Sequence, residues 1–123
     1  MRQTIDTAPS NSLLLILDRT AGIIPQSMDG RLVAATPSCI AVGTLIESEG
    51  CTSVTLTDDA IAADPGLDLV IDTSIATPSK SITVCSVLNE MFLQTEVPSQ
   101  RTRVQIWAND ASEPDTLVIA IVS

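Results

Sequence analysis

The sequence predicts an all-β domain, folded as an antiparallel β-sandwich or barrel of about eight strands. Short apolar runs rich in Val, Ile and Thr recur at intervals of ~8–15 residues, as in known sandwiches and barrels. Gly, Pro, Asn and Asp separate these runs and favour turns. With 123 residues, 45% of them apolar and 17% charged, the chain is long and hydrophobic enough to bury a core.

The predicted strands follow from the length and periodicity of each run. Leu13–Leu17 is apolar throughout and too short for a typical helix, which favours a strand buried on both faces. Arg101–Ala108 alternates polar and apolar side chains, which predicts a half-buried strand. The complete set of predicted strands is residues 12–18, 31–35, 39–46, 51–57, 67–75, 81–88, 101–108 and 116–122.

The stretch from Cys39 to Thr57 is predicted to form a hairpin around the three-residue loop Ser48-Glu49-Gly50. Gly50 would supply the residue with positive φ that such a loop requires. In this register one face of the hairpin gathers Ile40, Val42, Ile46, Val54 and Leu56. A helix that begins at Ser38 and ends at Gly50 is the alternative, which Gly43 in its middle disfavours.

The domain prediction is a loose leader over residues 1–11 and a single β-rich domain over residues 12–123. Residues 89–97 fit either a strand that continues through a bulge or one or two helical turns. The alternative fold class is therefore α+β, with helices near residues 38–49 and 87–93.

Charge and composition exclude several classes of function. The net charge of −9 repels nucleic-acid backbones, so we expect no nucleic-acid partner. The chain has no His and no glycine-rich phosphate loop, so we expect neither Ser-His or Cys-His catalysis nor a cofactor. The longest uncharged run, residues 32–46, is too short and too polar for a membrane span.

The three cysteines, Cys39, Cys51 and Cys85, have no regular spacing and no Cys-x-x-Cys pair. Their odd number argues against a disulfide framework. We therefore expect reduced, buried thiols in a cytoplasmic protein.

Aspartates are densest just after the predicted hairpin. Asp58, Asp59 and Asp64 would provide hard oxygen ligands for a cation if this loop curls. The spacing is not that of an EF-hand, and a solvated turn is the simpler interpretation. Two further carboxylate pairs, Glu47 with Glu49 and Glu113 with Asp115, flank turns and are expected to be exposed.

One predicted strand contains residues suited to contact with a partner. Trp107 lies on the same predicted face as Arg103 and Gln105, and Arg101 and Arg103 are the only two bases close together in sequence. A lone Trp on a polar strand face is typical of an interface anchor. The simpler interpretation is that Trp107 packs under the 109–115 loop and that both arginines are solvated.

These observations favour a non-enzymatic protein-interaction module that self-associates or binds a basic protein, such as a nuclease. Two alternatives remain open. The first is a metal- or small-ligand-binding β-domain that uses the Asp58–Asp64 loop. The second is a His-free enzyme with carboxylate chemistry, which would require a strongly buried acid.

Overall fold

The structure, a computed structural model, describes residues 1–58 and 66–122 and confirms the all-β class. All eight predicted strands are present, together with two others. Within the described residues the helical segments are two three-residue 3₁₀ turns, Ser10–Ser12 and Glu47–Glu49, and no helix is long and apolar enough to cross a membrane. The strands are β1 Arg2–Thr7, β2 Leu13–Leu17, β3 Val33–Thr36, β4 Cys39–Gly43, β5 Thr52–Thr57, β6 Asp68–Ala76, β7 Ser81–Ser86, β8 Met91–Glu96, β9 Arg101–Ala108 and β10 Thr116–Val122.

The strands form two five-stranded sheets that pack face to face as a sandwich. Sheet 1 has the order β1-β5-β10-β9-β6, and sheet 2 has the order β3-β4-β2-β7-β8. The aliphatic side chains of the inner faces form one core. The strand pairing is antiparallel, as predicted, except that β10 pairs parallel to β5. The largest fully buried side chains are Leu14, Ile16, Ile40, Leu56, Ile75, Ile82, Ile106, Leu117 and Ile119.

The prediction of a loose leader is wrong for residues 2–7, which form β1. This strand pairs antiparallel with β5 along its whole length, and Ile5 packs against the core. The hydroxyls of Thr4 and Thr55 lie 3.0 Å apart, and Gln3 Nε2 donates to the Gln94 carbonyl oxygen across the edge of the sandwich at 3.0 Å. An edge strand with one apolar residue gives a weak sequence signal, which is why it was missed.

The predicted hairpin is also wrong. β4 belongs to sheet 2 and β5 to sheet 1, and the 3₁₀ turn at Glu47–Glu49 leads the chain from one sheet to the other. Ile40, Val42, Val54 and Leu56 do share the core, but they meet across the sandwich rather than side by side. An apolar face indicates that a strand packs against the core, but it does not indicate to which of the two sheets the strand belongs.

The alternative α+β fold is wrong, because β4 occupies residues 39–43 and neither uncertain region forms an α-helix. Residues 87–90 form a turn in which Asn89 has a φ of 64°. β8 then pairs antiparallel with β7, with a register shift between Val84 and Cys85. The predicted bulge is therefore present, but it accompanies a new strand rather than a continuation of β7.

A second, smaller apolar cluster lies on the outer face of sheet 2. It consists of outward-facing residues of β2, β4 and β7, namely Leu15, Leu17, Cys39, Ala41 and Cys85. Met28, from the long segment between β2 and β3, packs against it. That segment approaches β2 closely, since a Cβ on Gly22 would lie 2.1 Å from Leu17 Cδ1.

Candidate interaction surfaces

Three loops meet at one end of the sandwich and are joined by backbone hydrogen bonds. The Thr44 amide donates to the Ser12 carbonyl oxygen at 2.9 Å, and the Glu47 amide donates to Ser12 Oγ at 3.0 Å. The Leu45 amide donates to the carbonyl oxygen of buried Pro114 at 2.8 Å. These bonds connect the 3₁₀ turn at Ser10–Ser12, the β4–β5 connection and the β9–β10 loop, so the loops form one supported surface.

Exposed carboxylates surround this surface. Ser10 Oγ donates to Glu90 Oε1 at 2.6 Å, and this hydrogen bond lowers the pKa of Glu90. The Glu113 and Ser112 amides donate to Asp110 Oδ2 at 2.8 and 3.0 Å and lower the pKa of Asp110. We define the acidic rim as the exposed acids of the β4–β5 connection, the β7–β8 turn and the β9–β10 loop; its members are Glu47, Glu49, Glu90, Asp110, Glu113 and Asp115.

The basic residues are distributed differently. Arg2, Lys80 and Arg101 lie towards the opposite end of the sandwich, where β1 and β9 begin and β6 turns into β7. Arg19 lies over the outer face of sheet 2, and Arg31 precedes β3 at a sheet edge on the side of the rim. The acidic rim therefore gives the molecule a strongly negative end.

The outer face of β9 carries the residues predicted to contact a partner. Arg101, Arg103, Gln105 and Trp107 alternate with buried residues along this strand, as predicted. Arg103 donates to both carboxylate oxygens of Asp72, at 2.8 and 2.6 Å, and Gln105 adds a bond of 3.1 Å. The hydrogen bonds from Arg103 and Gln105 lower the pKa of Asp72 to about 2. Arg103 is thus paired within the protein.

Trp107 lies in register between Leu69 of β6 and Val118 of β10. Its indole Nε1 is buried and has no hydrogen-bond partner in the described part of the chain. A bulge between Leu69 and Ile71 shifts the register of β6, and Leu69 is 43% exposed. A partner contact at Trp107, Arg101 and Arg103 stays a prediction.

The predicted cation site falls partly outside the described residues, because Asp59 and Asp64 lie in residues 59–65. Asp58 Oδ1 accepts a hydrogen bond from the α-ammonium group of Met1 at 2.8 Å, which lowers the pKa of Asp58. Among residues 1–58 and 66–122, no group of three His, Cys, Asp or Glu side chains is placed to hold a metal ion. Cation binding by the three aspartates stays a prediction.

Sequence reasoning missed the buried carboxylate of Asp18, which is 1% exposed. Burial opposes its ionisation, but hydrogen bonds from Thr20 and Ser79 outweigh burial and lower its pKa. Each carboxylate oxygen accepts two of these bonds. A general acid or base needs a free lone pair through which it can exchange a proton. The oxygens of Asp18 are already bonded to four donors of the protein, which suits a structural role.

The cysteines are unpaired, and two of them have the burial that the sequence predicted. Cys39 and Cys85 are buried, whereas Cys51 is exposed, so the expectation of a buried thiol is wrong there. Cys51 follows the 3₁₀ turn as the chain passes between the sheets, where no apolar face covers it. Burial raises the pKa of Cys39 to about 12 and also raises the pKa of Cys85.

The acidic rim as a surface was also missed. The pairs Glu47 with Glu49 and Glu113 with Asp115 were recognised as exposed turn residues, and they are exposed. Their proximity depends on the bond between Leu45 and Pro114, which joins segments far apart in sequence. In the sequence, the one sign of the acidic rim was that acidic residues recur in turns.

Comparisons with known proteins support the fold assignment. No protein-family model matches the chain, and no curated protein sequence matches it. Two solved structures are similar along almost the entire chain. One is ComJ from Bacillus subtilis, an inhibitor of the DNA degrading activity of NucA: the TM-score is 0.68, the identity 13%, and the match covers 100% of this chain and 95% of ComJ. The other is the product of crocagin biosynthetic gene J, with a TM-score of 0.63, 16% identity, and coverage of 99% and 96%.

Proposed function

We propose that this protein is a non-enzymatic inhibitor module that binds a basic protein through its acidic rim. The observation that carries the proposal is the hydrogen-bonded support of the rim. Hydrogen bonds that Ser12 and Pro114 accept hold the three loops together, so the carboxylates are presented without a large loss of loop entropy on binding. A negative surface of this kind steers a positive partner and gives binding that depends on salt.

The partner class we propose is a DNA-degrading enzyme. Such enzymes need a basic surface to hold the phosphate backbone, and an acidic protein end is complementary to that surface. The similarity to ComJ supports this class at the level of fold, because ComJ inhibits an enzyme that degrades DNA. The three unpaired cysteines suit a reducing compartment, so we propose the cytoplasm as its location.

The environment of Asp18 supports a non-enzymatic role. This buried carboxylate is the kind of group that an enzyme without His would need, but its oxygens are occupied by Thr20 and Ser79. The rim carboxylates are exposed and suit contact with a partner better than proton transfer in a cleft.

Purified NucA is the probe for testing this proposal. We expect the protein to bind NucA in calorimetry at low salt and to slow DNA degradation, with affinity that falls as salt rises. Absence of binding at low salt would overturn the proposed class of partner.

A pair of matched variants tests the surface. Glu47→Gln with Glu49→Gln removes two charges from the rim and should weaken binding by about tenfold and reduce the salt dependence. Asp58→Asn with Glu96→Gln removes the same charge from exposed positions at the opposite end of the sandwich, and should leave most of the affinity in place. If the two double variants lose affinity equally, binding depends on the total charge of the protein and not on the position of the charges at the rim.

A further inference from the structure

An open cavity of about 500 Å³ lies at the end of sheet 1 where β9 begins and β10 ends. Arg101 and Arg103, two of the six basic residues of the chain, line it, and no Asp or Glu of the described residues does. The acidic β9–β10 loop lies at the other end of both strands, roughly 25 Å away at the rise of a strand. That distance exceeds the screening length of ~8 Å in physiological salt, so the acids of that loop have little effect on the cavity.

Both arginines have donors that the protein itself does not use. Arg103 donates from Nε and Nη2 to Asp72, at 2.8 and 2.6 Å, and its Nη1 donates to no group in the described part of the chain. The guanidinium group of Arg101 has no hydrogen bond or ion pair with residues 1–58 or 66–122. Because the two arginines alternate with buried Thr102 along β9, they share one face, with Cα atoms ~7 Å apart. One anion can therefore contact both.

Two hydroxyl groups add neutral donors at the same cavity. Ser74 lies in register with Arg103 on the neighbouring strand β6, and its hydroxyl forms no hydrogen bond with the described residues. Ser99 Oγ accepts a hydrogen bond from the Arg101 amide at 3.2 Å, which leaves its own proton for a further acceptor. Donors from four side chains thus line one cavity, and such a set suits an oxyanion.

The protein holds this set of donors in place. Buried Thr77 donates from its hydroxyl to the Ser99 carbonyl oxygen and from its amide to the Gln100 carbonyl oxygen, each at 2.8 Å. The two hydrogen bonds to Asp72 fix the orientation of the Arg103 guanidinium group. Binding therefore orders few additional groups, which lowers its entropic cost.

The rest of the cavity wall is apolar. It is formed by Pro98, Ile121 and Val122. Val122 lies in register with Arg103, so an apolar group in contact with Val122 would keep an attached carboxylate within reach of Arg103. A small inorganic anion would leave this wall in contact with water, whereas an organic acid would use the donors and the apolar wall together.

We propose that this cavity binds the carboxylate of an organic acid that carries an apolar group. The carboxylate accepts hydrogen bonds from Arg101 and from Nη1 of Arg103, and the apolar group packs against Pro98 and Val122. Two sources have this chemistry, a free fatty acid and the C-terminal residue of a peptide. The site goes beyond the proposed inhibitor function and is independent of it, because it uses no carboxylate of the acidic rim.

Titrations followed by heteronuclear NMR test the site with no other protein present. Octanoate is the probe for a fatty acid, and N-acetyl-leucine is the probe for a peptide C-terminus. We expect the amide signals of Ser74, Arg101 and Val122 to shift, with a dissociation constant of about 1 mM or lower for the better probe. The probe that binds more tightly identifies the source. Octanamide and N-acetyl-leucinamide lack the charge and should bind about tenfold more weakly than the acids.

Arg101→Gln removes one of the two cations of the cavity and should weaken binding of the better probe by about tenfold. Arg31→Gln is its matched control, because Arg31 is also exposed but precedes β3 in the other sheet, and it should leave the dissociation constant within about twofold of the original. Far-ultraviolet circular dichroism checks that each variant is folded.

Three results would overturn the proposal. The first is the absence of shifts from either acid at ~20 mM, a concentration that detects weak binding. The second is equal binding of the acids and their amides, which would show that the carboxylate is not recognised. The third is an equal effect of Arg101→Gln and Arg31→Gln, because binding would then not depend on the cavity.

Discussion

Ser79 donates two hydrogen bonds to a single carboxylate oxygen of Asp18, one from its amide and one from its hydroxyl, each 2.7 Å long. The other oxygen accepts bonds from the amide and hydroxyl of Thr20, at 3.0 and 2.7 Å. Asp18 directly follows β2, and Ser79 lies in the turn between β6 and β7. One buried carboxylate therefore fixes the end of a central strand to the turn that leads from sheet 1 to sheet 2.

Replacing Asp18 with Ala should lower the free energy of unfolding by about 2–4 kcal/mol. The substitution leaves the donors of Ser79 and Thr20 without their charged acceptor in a place where water is largely excluded. Urea denaturation monitored by circular dichroism measures the change. Glu96→Ala, at an exposed position, is the control, and a loss no larger than that of the control would contradict the structural role of Asp18.

The stability of the protein should decrease in acid, and Asp72 should be one source of the decrease. Its pKa is lowered to about 2 in the folded protein by hydrogen bonds from Arg103 and Gln105, whereas an unfolded Asp titrates near ~3.9. Because the folded pKa is the lower one, this contribution is present above the unfolded pKa and is lost as the pH falls towards about 2.

Unfolding midpoints measured in urea across this pH range test the prediction. The decrease between ~pH 4 and pH 2 should be shallower for Asp72→Asn than for the unmodified protein. Asp18 titrates with the same sign, so the variant should keep part of the decrease. Parallel curves for the two proteins would mean that the Arg103–Asp72 pair makes no contribution in solution.

A thiol reagent should distinguish the cysteines. Cys51 is exposed and should react in the native protein, whereas Cys39 and Cys85 are buried with raised pKa values and should react only after unfolding. Titration with a disulfide reagent before and after denaturation measures this. The rapid reaction should disappear in Cys51→Ser, and its persistence there would show that a buried thiol is accessible.

Gly50→Ala should destabilise the protein by about 1–3 kcal/mol, because Gly50 has a φ of 140° and a ψ of −168°, a region that side chains strongly disfavour. Gly43→Ala is a suitable control, since Gly43 lacks a positive φ and its added Cβ would lie 3.4 Å from Leu32 Cδ1, which is close to ordinary contact. Thermal unfolding of both variants provides the comparison. If Gly50→Ala and Gly43→Ala melt at similar temperatures, the proposed backbone conformation at Gly50 is wrong, because that conformation should disfavour Ala.

The eight predicted strands were identifiable because apolar content and alternation are local properties. β9 is the clearest case, since Val104 and Ile106 face the core and Arg103 and Gln105 face out, as the period of two requires. Strand order is not local. The positive φ of Gly50 was correctly predicted, but its role in a hairpin was wrong, because a positive φ also fits the turn that moves the chain from sheet 2 to sheet 1.

The candidate surfaces were less predictable than the strands. Trp107, Arg101 and Arg103 were placed on one face because they lie on a single strand. The acidic rim joins Glu47, Glu90 and Asp115, whose proximity follows from bonds between distant loops. Asp18 was predicted to end a strand, and its burial depends on the position of the turn at Ser79, which no local pattern specifies.

The position of β10 has a consequence for how the molecule folds. β10 is the last strand in chain order, yet it lies between β5 and β9 in the middle of sheet 1. Sheet 1 therefore cannot form during synthesis until residues 116–122 have left the ribosome, and β5 and β9 expose their central edges until then. A sandwich dominated by such distant pairings is expected to fold in milliseconds to seconds. Until β10 is in place, the open edges of β5 and β9 can pair with other chains, and the net charge of −9 opposes that association.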